Sequence, residues 1–142
     1  MKFFFDNTMP PKVVEALKIL DSNHKIVHLT EQFPADTPDA IWISALSEEG
    51  DWVIISGDVR ITRNPGKRAA WLESKLLAFF LAKGWTNQSL WDQAWRFVKW
   101  WPEIVGQSSR IKPPAGPTQT FQARTSSNLT ISGPVAALAI HL

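Results

Sequence analysis

The sequence contains no cysteine, which excludes disulfide scaffolds and metal sites built from thiolates. It also lacks any apolar run near the ~18 residues that suggest a membrane span. A charged residue, Asp6, follows the opening apolar run too soon for a signal peptide, so we expect a cytoplasmic protein that does not enter a membrane. The chain has 142 residues, 44% of them apolar, which is enough for one compact domain.

The charged residues are unevenly distributed along the chain. Residues 1–59 contain ten acidic and four basic side chains, whereas residues 60–142 contain eleven basic and three acidic ones. The two parts therefore carry net charges of −6 and +8. Such asymmetry is a mild indication of a polyanionic partner, although ordinary solvated surfaces explain it equally well.

Apolar runs and amphipathic stretches alternate along most of the chain. The predicted strands cover residues 2–5, 25–29, 52–55 and 76–81, and the predicted helices cover 12–20, 37–49 and 86–101. In the second helix, Thr37 is expected to cap the first turn and Pro38 to occupy the first helical position. The pattern predicts an α/β fold with a mainly parallel sheet of four or five strands.

Two segments interrupt this pattern. Residues 60–68 are rich in arginine and lysine and are interpreted as a basic loop. The tail is rich in proline, serine and threonine, and part of it, residues 118–131, is a candidate edge strand. We therefore predict a domain over residues 1–110 and a C-terminal extension, residues 111–142, that packs on this domain or on a partner.

Three aspartates occupy positions that a parallel sheet brings to one edge. Asp6 and Asp58 each follow a predicted strand, and Asp39 begins the helix between them. Converging carboxylates do not all ionise readily without a cation, and oxygen ligands suit Mg²⁺ or Mn²⁺. Such a metal activates water for attack on a phosphodiester. Taken singly, each aspartate is better explained as a turn residue or a helix cap, so the prediction depends on the three occurring together.

The same segments resemble the motifs of PIN-like domains. KFFFDN at residues 2–7, followed by MPP at 9–11, resembles the first motif of that family. DTPD at 36–39 resembles its second acidic position, and VIISGD at 53–58 resembles its third. Over residues 1–85, the order and spacing are similar to those of the VapC-like toxins of bacterial toxin–antitoxin pairs.

The resemblance implies a three-layer α/β/α fold and a Mg²⁺-dependent endoribonuclease. Enzymes of this kind hydrolyse RNA, leave 3′-hydroxyl and 5′-phosphate ends, are often homodimers, and are held inactive by a cognate antitoxin protein. By this resemblance Asp6, Asp39 and Asp58 hold Mg²⁺ or Mn²⁺. Ser56 supports them through its hydroxyl, and Asn7 is a weaker neighbour.

Two features leave the resemblance incomplete. Asp36 lies near the same helix start and is an alternative to Asp39 as a ligand. Many PIN domains carry a fourth acid two residues after the third, and here that position is Arg60. The substitution leaves open how many metals bind and whether the site is active. A non-catalytic PIN-like module that binds protein or RNA is therefore the alternative function.

A basic cluster follows the third aspartate. Its members are Arg60, Arg63, Lys67 and Arg68, which we predict to bind phosphates of RNA beside the scissile one. A solvated loop is an equally good explanation of these charges. A phosphatase-like or response-regulator-like domain is a more distant alternative, for which Lys83 is the only candidate lysine.

Five tryptophans cluster between residues 85 and 101. They are Trp85, Trp91, Trp95, Trp100 and Trp101. Aromatic residues at helical spacing belong to a core more often than to a base-stacking surface. These five do not share one helix face, so we expect at least one ring to lie outside the core, on a surface that contacts a second copy or an antitoxin.

Overall fold

The computed structural model describes residues 1–58, 64–74, 76–81, 84–111, 129–131 and 137–140. The helices are α1 (Pro11–Leu20), α2 (Asp39–Glu49), α3 (Pro65–Ser74) and α4 (Leu90–Arg110), with short 3-10 turns at Leu29–Glu31 and Trp85–Asn87. The strands are β1 (Lys2–Phe5), β2 (Lys25–His28), β3 (Trp52–Ser56), β4 (Leu77–Leu81), β5 (Leu129–Ile131) and β6 (Ala137–Ile140). Within this described part, no helix is long and apolar enough to cross a membrane.

The strands form one mixed sheet in the order β2-β1-β3-β4-β6-β5. Every neighbouring pair is parallel except β5 with β6, which is antiparallel. The predicted α/β fold with a mainly parallel sheet is confirmed. The sheet has six described strands, rather than four or five, because β5 and β6 extend it beyond β4. The proposed division at residue 110 stays a prediction.

Helices cover both faces of the sheet, which gives three layers. Phe3 and Phe5 of β1 point into one core, formed with α1 and α4. Phe4 points into the other core, formed with α2 and α3, where it stacks on Trp42 at a ring separation of 5.2 Å. Burial on both faces explains why the strands are apolar at successive positions rather than at alternate ones.

The start of α2 differs from its prediction. Pro38 stands at the N-cap and the helix begins at Asp39, so Pro38 is not the first helical residue. The Thr37 hydroxyl does not cap the helix, because it donates a hydrogen bond of 2.6 Å to the carbonyl of Pro34 in the preceding turn. The predicted acid in the first turn is correct and is Asp39.

The predicted basic loop over residues 60–68 is wrong in its second half. Helix α3 begins at Pro65 and carries Lys67 and Arg68 within its first turn. A crossover is needed here because β3 and β4 are parallel neighbours, and parallel strands cannot be joined by a tight turn. The helix is anchored by Trp71, which is fully buried against Trp42 and Phe80.

The last helix differs from its prediction at both ends. Its N-cap is Ser89, which accepts a hydrogen bond of 3.1 Å from the backbone N–H of Asp92. Thr86 belongs instead to the preceding 3-10 turn. The helix also continues through Pro102 to Arg110, although proline removes one backbone hydrogen bond from a helix interior.

Candidate active site

The site is built on the carboxyl ends of two adjacent strands, β1 and β3. These strands pair in parallel, with Phe5 opposite Ile55. The pairing extends one residue further, since the backbone N–H of Asp6 donates to the carbonyl of Ile55 at 3.1 Å. Ser56 ends β3 and Asp58 follows two residues later. Asp6, Ser56 and Asp58 therefore lie at the same edge of the sheet, as the sequence predicted.

The carboxylate of Asp6 is buried and held by hydrogen bonds from two sides. Only 4% of this residue is exposed. The Ser56 hydroxyl donates to Asp6 Oδ2, and the Thr8 hydroxyl donates to Oδ1. The backbone N–H of Thr8 also donates to Oδ1, at 3.0 Å. These contacts fix the orientation of the carboxylate without using a charged partner.

The same two hydroxyls connect Asp6 to the loop that carries Asp58. Thr8 Oγ1 accepts a hydrogen bond of 2.7 Å from the backbone N–H of Gly57. Ser56 Oγ accepts one of 3.1 Å from the backbone N–H of Asp58. Asp58 is itself 9% exposed. The two strand ends are thus joined into one hydrogen-bonded unit.

Close packing explains the glycine between Ser56 and Asp58. A Cβ atom at Gly57 would lie 3.1 Å from Thr86 Cγ2 and 3.2 Å from Thr8 Oγ1. Both distances are shorter than ordinary van der Waals contact, so a larger residue would displace its neighbours. The 3-10 turn that precedes α4 therefore packs directly against the Asp58 loop.

Thr8 is a functional candidate that the sequence analysis missed. Its position was visible as a hydroxyl residue two places after the strand-end acid, a spacing at which an aspartate often bonds the backbone N–H of residue i+2. Nothing in the local sequence indicates the second contact, with Gly57, which is 49 residues away along the chain. That contact arises only from the parallel pairing of β1 and β3.

Burial raises the pKa of Asp6 from 3.8 to about 6. Hydrogen bonds from Ser56 and Thr8 oppose this increase, because they favour the ionised carboxylate. The negative charge of Asp39 makes the smallest contribution to the increase. A cation beside Asp6 would lower the free energy of the ionised form.

Asp39 and Asp36 have different environments near the start of α2. Asp39 is the first residue of the helix and is half-buried, with Oδ1 accepting a hydrogen bond of 3.3 Å from Trp42 Nε1. Asp36 is exposed in the preceding loop. Asn7 donates a hydrogen bond of 2.9 Å to the carbonyl of Ala35, which ties this loop to the end of β1. Of these two acids, Asp39 is the one whose negative charge contributes to the raised pKa of Asp6, and the choice between them stays a prediction.

A buried histidine holds the loop that follows Asp6. His28 Nδ1 accepts a hydrogen bond of 3.2 Å from the backbone N–H of Thr30. Its Nε2–H therefore donates to the carbonyl of Met9, at 2.8 Å. His28 is 2% exposed and acts here as a structural residue that positions the segment between β1 and α1.

The remaining predicted residues fall in three groups. Arg60, Arg63 and the distant candidate Lys83 lie outside the described residues, as do the side chains of Lys67 and Arg68. The phosphate-binding cluster therefore stays a prediction. Among the tryptophans, Trp85 and Trp101 are buried, Trp100 is half-buried, and Trp91 and Trp95 are exposed. The expectation that at least one ring lies outside the core is confirmed.

The donor set at the sheet edge fits a hard divalent cation. Asp6, Asp58 and Asp39 offer carboxylate oxygens, which Mg²⁺ prefers. In the described part of the chain, no three His, Cys, Asp or Glu groups are close enough to hold a metal by themselves. Mg²⁺ is commonly held by one or two carboxylates and keeps several waters, so this geometry is compatible with it.

Comparison with known protein families identifies a match for the N-terminal part of the chain. The family model described as PIN like domain matches residues 1–83 of the chain. The matched segment contains β1, β3, β4 and the strand-end aspartates, and it excludes α4. No curated protein and no solved structure matches the chain.

Proposed function

Since the chain belongs to the PIN-like domain family, we propose that it is a Mg²⁺- or Mn²⁺-dependent endoribonuclease. One observation carries this proposal: the buried carboxylate of Asp6, whose pKa is raised, is joined by two hydroxyls to the loop of Asp58. Perturbed, buried acids at the carboxyl edge of a parallel sheet are typical of functional sites.

In this proposal Asp6, Asp39 and Asp58 form the metal site: one or two of these carboxylates bind the cation directly, and water supplies the remaining ligands. When bound, the cation supplies a polarised phosphate and a water of lowered pKa. Ser56 and Thr8 keep the Asp6 carboxylate in one orientation, so little reorganisation is needed when substrate binds. Burial of Asp6 and Asp58 limits competition from bulk water.

The basic cluster completes the proposed enzyme on the substrate side. The support is their position in the sequence: Arg60, Arg63, Lys67 and Arg68 follow Asp58, and Lys67 and Arg68 belong to the first turn of α3. Phosphates flanking the scissile bond are the proposed ligands of this cluster.

Aspartate-to-asparagine variants test the proposed ligands with minimal change in shape. Cleavage of a labelled RNA is measured with Mg²⁺, with Mn²⁺ and with EDTA. We expect cleavage to be lost with EDTA and in Asp6→Asn, Asp39→Asn and Asp58→Asn. The matched control is Asp36→Asn, an exposed acid three residues before Asp39, which should cleave like the wild type. Loss in Asp36→Asn with retention in Asp39→Asn would reverse the assignment of the second acid.

A finer part of the proposal concerns biological role. We propose that the enzyme is the toxin of a type II toxin–antitoxin pair, acts as a homodimer, and is inhibited by a cognate antitoxin. The support is the similarity of its motif order and spacing to VapC-like proteins. Induced wild-type chain should arrest growth, Asp6→Asn should not, and a co-expressed small neighbouring protein should restore growth. Unchanged growth with active enzyme present would contradict the toxin role.

The non-catalytic module remains the second candidate because Arg60 stands where many relatives carry a fourth acid. This alternative predicts that the folded wild-type chain retains RNA or a protein partner on a column without cleaving RNA. It also predicts no thermal shift with Mn²⁺, whereas the enzyme should show a shift that Asp58→Asn removes.

A further inference from the structure

Helix α4 carries a row of exposed apolar side chains on the side away from the core. Trp91, Trp95 and Val98 are spaced four and three residues apart, so they share one helix face. They are 83%, 50% and 38% exposed. We call these three residues the tryptophan row. The core side of the helix is formed instead by Phe97, Trp101 and Ile104.

The row begins at the edge of the sheet that carries the candidate active site. Strand β4 is parallel to β3, with Phe80 opposite Ser56, so it ends at the same edge. The turn after β4 packs on the Asp58 loop through Thr86. Trp91 lies in the first turn of α4, five residues beyond that contact. From there the row runs along the helix, with a rise of ~6 Å from Trp91 to Trp95.

Positive charges lie over one ring of the row, Trp95, and over the neighbouring Trp100. The Arg96 guanidinium is 5.2 Å from the centre of the Trp95 ring, and Lys99 Nζ is 5.7 Å from it. Lys99 is also 5.7 Å from the Trp100 ring. Lysine is depleted from the dry centres of protein interfaces, whereas cations beside aromatic faces are common in grooves that bind single-stranded nucleic acid.

We propose that the tryptophan row is a stacking platform for unpaired bases of single-stranded RNA that leads into the active site. Trp91 and Trp95 stack on bases, and Lys99 binds the adjoining backbone phosphate. The part of this inference that directs the bound RNA toward the active site rests on the proposed ribonuclease function. It lies outside residues 1–83, the segment that the family model matches.

The test measures binding of a fluorescent oligouridylate to the full chain in EDTA, where cleavage is suppressed. The double variant W91A/W95A should bind at least about tenfold more weakly, since each base stacked on an aromatic ring contributes substantially to affinity. W91F/W95F keeps aromatic faces and should retain most of the affinity. Ile41→Ala removes an equally exposed apolar side chain (58%) from α2, and it should bind like the wild type.

Salt dependence separates stacking from charge. W91A/W95A should leave the slope of log affinity against log salt unchanged, whereas Lys99→Gln should reduce it by about 0.7. Wild-type affinity in W91A/W95A would overturn the proposal. A change in molar mass by light scattering, with RNA affinity unaltered, would overturn it too and assign the row to a protein interface.

Failure of the proposed function would give a different pattern. The wild type could bind oligouridylate through the row and cleave no RNA with any metal. That result would support the stacking platform and contradict the proposed nuclease function. If W91A/W95A cleaves a dinucleotide at the wild-type rate but a long RNA with lower kcat/KM, the result supports both the nuclease function and the stacking platform. Equal kcat/KM for the long RNA in variant and wild type would leave the nuclease intact and remove the platform.

Discussion

Asp6 combines two properties that rarely occur in one aspartate: almost complete burial and a full set of uncharged hydrogen-bond donors among its described contacts. The donors stabilise the carboxylate, but burial outweighs them and raises its pKa to about 6. A buried carboxylate whose pKa is raised destabilises the folded state when it is ionised and no cation is bound beside it. The site therefore stores unfavourable free energy that metal binding can relieve.

The first prediction concerns pH in the absence of metal. Between pH 3.8 and about 6 the folded state holds the Asp6 proton more tightly than the unfolded state does. The free energy of unfolding should therefore fall as pH rises through this window, by about 3 kcal/mol from this residue. Urea denaturation in EDTA at several pH values measures it, with Asp6→Asn as the comparison. Relative to Asp6→Asn, the free energy of unfolding of the wild type should fall as pH rises to about 6 and then stay constant. A difference that is independent of pH would contradict the account.

Thr8 gives the second prediction. Thr8→Val removes the hydroxyl that donates to Asp6 and accepts from Gly57, while keeping nearly the same volume. It should lower the free energy of unfolding by about 1–3 kcal/mol, because a buried acceptor and a backbone donor lose their partner. It should also reduce RNA cleavage, because the carboxylate is less well oriented. Thr8→Ser should restore both, and equal effects of valine and serine would exclude this role.

The strand-end acids were predictable from single residues, and Thr8 was not. An aspartate directly after an apolar run is visible in the sequence, and a parallel sheet brings such residues to one edge. The partners of Thr8 depend on the register of two strands that are far apart in the chain. The predicted Thr37 cap is wrong for a different, local reason: its hydroxyl donates to the carbonyl of Pro34, in the turn before the helix.

At the scale of elements, Pro102 is a residue that lowers the stability of helix α4. The proline lies inside the helix and is exposed, so its ring contributes little to the core. Replacing it with alanine restores one backbone hydrogen bond, to the carbonyl of Val98.

The third prediction follows from that position. Pro102→Ala should raise the free energy of unfolding by up to about 3 kcal/mol, the difference in helix propensity between the two residues. The control is Lys12→Ala on the exposed face of α1, which should change stability by less than about 0.5 kcal/mol. Urea denaturation of both variants measures the effect. A destabilised Pro102→Ala protein would contradict this account and show that the proline ring is needed at this position.

Helices and strands were predictable where their apolar residues form continuous runs or recur with a clear helical spacing. The central strands and α1 follow from apolar runs and spacing alone. Helix α3 was missed because its start is basic and proline-containing, which favours a loop when read locally. The need for it appears only from topology, since β3 and β4 are adjacent and parallel. The candidate edge strand over residues 118–131 contains β5, which does lie at the edge of the sheet. Strand β6 was not predicted, because its pairing depends on the open edge of β4.

At the scale of the whole molecule, the candidate metal ligands and most of the basic residues lie in different parts of the sequence. The acidic part of the sequence, residues 1–59, supplies all three candidate ligands. The basic part supplies the rest of the fold, including α4 and its tryptophan row. This distribution along the sequence suits the proposed nuclease, because a bound metal would offset the acids and the cations would attract RNA.

The most direct test of the central claim is cleavage of a labelled single-stranded RNA by the purified chain and by Asp6→Asn, side by side with Mg²⁺. The wild type is predicted to cleave only with the metal, and Asp6→Asn to be slower by at least about a hundredfold while remaining folded. Equal cleavage rates in the two proteins would contradict the assignment of Asp6. A folded wild type that never cleaves, with any divalent cation, would contradict the enzyme itself.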